Sequence, residues 1–209
     1  MKFALICFAL FGAGFAGFSP EGQDAIVQAH NTLRSAVANG NYLAKQTPVG
    51  PASNMRKMSW DDELAKAAQA FADTCPSGHV EGKKDYGENL YWGYSSRPIN
   101  ELDSYATKAT EKWEGEFKKF GWLTEIYKKE TKKFGIGHAT QMIWSESNLI
   151  GCGVKSCGKG GKKNMYQVSV VCHYKKRGNY LNTNIFNKGE SCSQCPSGTS
   201  CEKDTGLCV

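Results

Sequence analysis

Cysteine content constrains this chain more than any other feature: it carries nine. Cys7 falls in a start that reads as a leader. Lys2 is basic, Phe3 to Phe11 are all apolar, and Gly14-Phe15-Ala16 offers small residues for cleavage. The apolar run is too short to span a bilayer and ends in Gly and Pro. Residues 1–16 are therefore expected to be a secretory signal peptide, and eight cysteines remain. An even count in a secreted chain predicts four disulfides and no free thiol. Oxidised cysteines disfavour both a cysteine nucleophile and a zinc–thiolate site. Eight cysteines admit about a hundred pairings, and spacing alone does not choose among them. No later segment has transmembrane length, and no Asn-X-Ser/Thr glycosylation site occurs.

The patterning divides what is left. Ser19-Pro20-Glu21 is a helix start, with a capping serine, proline at the first position and an acid in the first turn. Ile26, His30, Leu33 and Val37 follow at helical spacing until Gly40. His30 lies on that apolar stripe and reads as a hydrogen-bonded core histidine. Residues 39–54 read as a loop. Trp60, Leu64, Ala68, Phe71 and Cys75 predict a second helix opened by Ser59 or Asp61, whose many alanines imply close packing. Leu102, Ala106, Ala109 and Trp113 predict a third from Asn100 to Phe117, and residues 118–135 read as a surface loop. Val168, Val170, Cys172 and Tyr174 alternate with polar neighbours, the period of a half-buried strand. The Gly158–Gly161 turn would pair it with Leu149–Lys155 as a hairpin. From Lys188 onward, Cys192, Cys195, Cys201 and Cys208 sit among Gly, Ser and Pro. Such a tail cannot build a core and must be held by disulfides.

The most unusual run is Gly137-His138-Ala139-Thr140-Gln141-Met142-Ile143-Trp144, followed by Leu149-Ile150-Gly151-Cys152-Gly153-Val154. Histidine, threonine and glutamine crowd into an otherwise apolar element. A second run, Cys172-His173-Tyr174-Lys175-Lys176-Arg177-Gly178-Asn179-Tyr180-Leu181-Asn182, follows, and Gly87-Glu88-Asn89-Leu90 precedes both. Together they resemble the signatures of the CAP superfamily: cysteine-rich secretory proteins, antigen 5 and plant pathogenesis-related proteins. Ala139 stands where that pattern has an aromatic residue, and Lys176 where it has proline. The short layout and cysteine-rich end are most similar to the activation-associated secreted proteins of parasitic nematodes, a group that includes platelet inhibitors of blood feeders acting on integrins.

That resemblance implies a three-layer α-β-α sandwich with a central antiparallel sheet, plus a small disulfide-held C-terminal tail. It implies a signal peptide at 1–16, a CAP domain at 17–187 and a hinge-like tail at 188–209. It also implies the pairs Cys75–Cys157, Cys152–Cys172, Cys192–Cys201 and Cys195–Cys208. His79, Glu88, Glu116 and His138 match the four residues that line the family's cleft. Two imidazoles across a cleft can bind zinc, with the carboxylates orienting ligands or water. The expected metal ligands are His79 and His138, and zinc is not expected to be required for function.

Charge and motif content narrow the function. The net charge is +6, and basic residues cluster at 118–119, 128–129, 132–133, 159–163 and 175–177. An anionic glycan partner is one reading of these clusters; a solvated face is the other. Secretion and the lack of a binding motif disfavour nucleic acid. His-Glu-X-X-His, Gly-X-Ser-X-Gly and the phosphate-cradling loop are all absent, and Gly151-Cys152-Gly153 lacks the third glycine of a dinucleotide fingerprint. No catalytic residue is therefore assigned. The expectation is a secreted, non-enzymatic effector that binds a host cell-surface receptor, an integrin among the candidates. The alternative is a cleft-based zinc-dependent hydrolase or a sterol or lipid carrier.

Overall fold

The computed structural model describes residues 17–82, 84–160 and 164–209. The expected signal peptide, Cys7 and part of the 158–161 turn lie outside the described residues.

The chain runs α1 (Pro20–Ala38), β1 (Tyr42–Ala44), β2 (Thr47–Val49), β3 (Ser59–Trp60), α2 (Asp62–Ala72), β4 (Gly87–Ser95) and α3 (Ser104–Phe120). It continues through β5 (Ile126–Tyr127), α4 (Lys129–Phe134), α5 (Gly137–Met142), β6 (Leu149–Lys159) and β7 (Tyr166–Lys175). Strand β8 (Thr183–Asn184) pairs with β5, and the tail adds β9 (Cys201–Glu202) and β10 (Leu207–Cys208). The central sheet has the order β3-β6-β7-β4. The β6–β7 hairpin and the β4–β7 pair are antiparallel, and the two-residue strand β3 adds a parallel edge to β6. Helix α2 covers one face. Helices α1, α3 and α5 pack over the other, so the fold is an α-β-α sandwich.

The first helix starts where its capping residues place it: Ser19 Oγ accepts from Gly22 N–H at 3.3 Å, with Pro20 next. The second is shorter than its periodicity suggests. Asp61 caps it through Leu64 N–H, Trp60 joins β3, and Cys75 adopts a left-handed φ of 51° beyond its end. The third begins at Ser104 rather than Asn100. The Asp103 carboxylate accepts from the backbone and hydroxyl of Ser19 instead of capping its own helix. Residues 118–135 are not a simple loop, since they finish α3 and form β5 and α4. Residues 39–54 likewise contain the β1–β2 hairpin. Such two- and three-residue pairings leave almost no periodic trace.

The β7 strand corrects the half-buried expectation. Val168, Val170, Cys172 and Tyr174 face α1 and α3, yet Ser169, Val171 and His173 are buried as well. A strand covered by helices on both faces has no solvent side, so its alternation concerns which layer each residue meets.

Two glycines set the spacing of α2. A β-carbon on Gly151 would run into the backbone of Asp61, Leu64 and Ala65, and one on Gly153 into the backbone of Ala68 and Gln69. Their absence lets α2 lie directly on β6, which Ala65, Ala68 and Ala72 also permit. Gln69 completes the contact, exchanging hydrogen bonds with the Val154 backbone at 2.9 and 3.1 Å.

The structure links Cys75–Cys157, Cys152–Cys172, Cys192–Cys201 and Cys195–Cys208. The first closes 82 residues and ties the end of α2 to β6. The tail docks rather than dangling. Leu207 and Cys208 are buried, Cys208 N–H donates to Met55 O, Lys57 N–H donates to Cys208 O, and Ser35 Oγ donates to Thr205 O.

Replacing Gly153 by alanine should destabilise the protein by roughly 2–3 kcal/mol, because rigid backbone must move to admit the methyl group. Urea midpoints of the two proteins would measure it, and an unchanged midpoint would refute this account of the α2 contact.

Candidate functional site

The site is built at the end of edge strand β4, where adjacent residues face opposite layers. Glu88 points toward the α2 side and Asn89 toward α1 and α5. A cleft of about 310 Å³ opens there, with His79, Glu88, Glu116 and His138 all on its wall. The structure thus brings together on one wall the four residues matched by the family resemblance.

Each carboxylate is engaged by several donors. Glu88 accepts from His79 Nδ1 at 2.6 Å, Lys84 Nζ at 2.8 Å, Val80 N–H at 3.2 Å and His173 Nε2 at 3.2 Å. Burial pushes its carboxyl up, but hydrogen bonds from His173, His79 and Lys84 outweigh this and hold it well below the usual carboxylate range. Glu116 accepts from His138 Nδ1 at 2.6 Å and from the backbone N–H groups of His138 and Ala139 at 2.9 and 3.0 Å. It therefore satisfies first-turn donors of α5 that have no partner within the helix. His138 also stacks on Trp113, with ring centroids 6.2 Å apart.

The remaining signature residues position this wall. Gln141 donates to Ser147 Oγ at 3.0 Å and accepts from Gly178 N–H at 2.9 Å. Thr140 Oγ1 meets Asn179 Oδ1 at 2.8 Å, and Asn179 Nδ2 donates to Gly137 O at 2.8 Å. A β-carbon on Gly178 would press into Trp144 and Gln141. The second signature thus exists largely to buttress the first.

A polar thread crosses the core behind the cleft. His30 Nδ1 donates to Ile26 O at 2.8 Å, and its Nε2 accepts from Tyr174 Oη at 3.0 Å. Asn89 Nδ2 then donates to Tyr174 Oη at 3.1 Å and to His138 O at 3.2 Å. Burial lowers the His30 pKa to about 4, the nearby Arg34 charge adding to the effect, so the ring is neutral. Its place on the core stripe of α1 is the one the helical spacing indicates.

Sequence reasoning missed Arg34, His173 and Lys84. Arg34 sits one turn after His30 on the same helical stripe, the available signal. His173 faces Glu88 directly in the β4–β7 register, which no single-chain pattern reveals. His173 is buried, and its Nδ1 has no partner among the described residues.

In both cleft histidines Nδ1 is held by a carboxylate. That arrangement fixes the tautomer and leaves Nε2 as the lone-pair atom, the usual second shell of a histidine–metal bond. The donor set therefore suits zinc at His79 and His138. Among the described residues, the only three such donors lying within 4.8 Å of one another are Cys192, Cys195 and Cys208, all in disulfides.

A disulfide-tied α-β-α sandwich carrying this His–Glu cleft defines a class, and the chain belongs to it. Residues 27–174 match the cysteine-rich secretory protein family, CAP, and this protein is a member of that family. The crystal structure of NaASP2 with Zn2+ superposes with a TM-score of 0.81 at 33% identity, covering 95% of this chain and 100% of that one. Venom allergen 5 of Polistes dominula is 37% identical across 82% of this chain and 74% of its own length. Scoloptoxin SSD552 of Scolopendra dehaani is 32% identical across 99% of this chain and 95% of its own. The chain spans 44% of the length of venom allergen 5 of Tityus serrulatus, at 31% identity.

The neutral His30 predicts a specific acid response. The unfolded chain takes up the proton below about pH 6.5, whereas the folded ring refuses it until about pH 4. Stability should therefore fall as pH drops across that window, by roughly 3 kcal/mol, and level off below it. Urea midpoints from pH 7 to 4 should show the slope in the wild type, and it should flatten in His30→Gln. An identical slope in both would remove His30 as its source.

Proposed function

We propose that this protein is a secreted, non-catalytic effector that binds a host cell-surface receptor through its exposed loops, with an integrin as the candidate. The observation that carries the proposal is the engagement of both cleft carboxylates. Glu88 is shared among two histidines, a lysine and a backbone amide, and Glu116 is committed to His138 and the start of α5. Neither is free to act as a general base on a metal-bound water, which a zinc hydrolase requires. The eight described cysteines are paired, and among the described residues no serine–histidine pair lines the cleft. Family membership and four disulfides support secretion. Among the described residues no helix is long and apolar enough to cross a membrane.

Zinc enters this reading as a reversible ligand of His79 and His138, positioned by Glu88 and Glu116. Its similarity to the zinc-containing NaASP2 structure supports this. A bound ion supplies Lewis acidity; here its expected role is to brace the cleft rather than to drive turnover.

The exposed surface, rather than the tail's first segment, is the place to seek receptor contacts. Lys188-Gly189-Glu190 is not presented on a free loop. Lys188 pairs with Glu125 at 3.3 Å, and Gly189 N–H donates to Pro51 O. By contrast Leu43, Leu123 and Ile126 are exposed.

One set of variants tests both parts. Calorimetry should show zinc binding by the wild type that weakens below about pH 6, where free imidazoles protonate, and that is lost in His138→Ala. Inhibition of platelet or leukocyte adhesion should survive His79→Ala and His138→Ala and should be abolished by exchanging the exposed loops. Inhibition lost with the cleft substitutions but unaffected by loop exchange would favour the enzyme or carrier reading.

A further inference from the structure

Beyond the His–Glu cleft the wall continues into a longer groove of about 560 Å³. The two share His79, Glu88, Tyr127, Lys132 and Asn179, so they form one continuous depression. The groove's charge is unbalanced. Among the described residues Glu88 is its one carboxylate; Lys84 pairs with it at 2.8 Å, and His79 and His173 donate hydrogen bonds to it. Lys132 and Arg177 also line the groove, and among the described residues neither forms an ion pair. Lys175 and Lys176, both exposed, precede Arg177.

The groove also holds a fixed aromatic platform. Tyr180 is 48% exposed, the Arg177 guanidinium lies 5.2 Å from its ring centroid, and Trp144 meets it edge to face. A tyrosine held from two sides while half its surface faces water is a ready stacking surface. Tyr86, further along, is already stacked on His173 with centroids 4.0 Å apart.

We propose that this groove is a binding site for a sulfated oligosaccharide, with sulfates against Lys132 and Arg177 and a sugar ring on Tyr180. Cations gathered along a concave wall attract anions more strongly than the same charges scattered on an open face. A pyranose ring offers its C–H groups to the electron-rich tyrosine face. An acidic peptide would use the cations and leave that face unmatched. A single-stranded nucleic acid would need successive free rings, and the groove exposes one. The inference borrows from the proposed function only an extracellular location, where sulfated glycans are met.

Calorimetry of the full chain with a heparin-derived hexasaccharide, at physiological ionic strength of about 0.15 M, tests it. The double variant Lys132→Glu/Arg177→Glu should bind at least about tenfold more weakly, and Tyr180→Ala several-fold more weakly. Lys66→Glu/Lys155→Glu, with the same charge change on the α2 side, should bind like the wild type. Thermal melts of each variant check that it is folded; if either groove variant melts early, Lys132→Gln/Arg177→Gln replaces it. The desulfated hexasaccharide should bind far more weakly. Equal losses in both charge-reversal pairs would mean net charge alone drives binding and would overturn the groove assignment. So would a polyglutamate peptide or an oligonucleotide that binds as tightly as the sulfated sugar, or no hexasaccharide binding at all. Because the ligand is purified, failure here leaves the cell-adhesion outcome independent.

Discussion

Arg34 is fully buried and, among the described residues, meets no carboxylate. Its Nε donates to Arg56 O at 2.7 Å, its Nη1 to Met142 O and Trp144 O at 2.9 Å each, and its Nη2 to Ser145 O at 3.2 Å and Ser147 O at 2.8 Å. All five N–H groups of the guanidinium are therefore matched by backbone carbonyls. Burial lowers its pKa to about 9, with Arg56 adding to the effect, so the group still carries its charge at neutral pH. Five carbonyl dipoles stand in for a counter-ion. Removing the fork would leave several buried acceptors unpaired, at a cost of ~3 kcal/mol or more. Lysine has three donors and no planar fork, so it could not replace the contact.

The signature helix hangs on that contact. Six-residue α5 is too short to hold itself by propensity. Arg34 grips the carbonyls leaving its C-terminal end, and Glu116 accepts the amides at its N-terminal end. Gln141 and Thr140 then lock its sides to Gly178 and Asn179. The cleft histidine is thus carried on an element fixed at both ends by charged side chains from two other helices. This explains how a histidine can be presented on a short, mostly buried segment without a run of ordinary helix around it.

The two cleft carboxylates resemble each other in what they accept and differ in what they hold. Glu116 organises α5, while Glu88 joins the edge of the sheet to the loop after α2. Their shared consequence is a cleft whose two carboxylates are fully engaged, a geometry suited to binding and bracing. The groove beyond it differs: among the described residues Lys132 and Arg177 have no carboxylate partner, and Tyr180 stays half exposed. Contact with other molecules is therefore sought where charge and aromatic surface remain unspent.

Much of this protein was legible in its residues. Ser19-Pro20 and the Ile26–Val37 stripe determined α1, including the core role of His30, because capping and helical spacing are local. The alternation from Val168 to Tyr174 marked the β6–β7 hairpin for the same reason, although β6 runs on through Gly158 to Lys159, where the expected turn was to begin. The cleft residues were named only through the family resemblance, since nothing in spacing shows that His79 and His138 converge. Other features were decided in three dimensions. Gly151 and Gly153 are a sheet–helix contact, Asp103 serves Ser19 rather than its own helix, and His173 faces Glu88 because β7 pairs with β4. Arg34 was hidden in plain sight: its partners lie 108 to 113 residues away, with Arg56 22 away. A buried guanidinium matched to carbonyls leaves no sequence partner to find, because every residue has a carbonyl and only the fold decides which ones it meets.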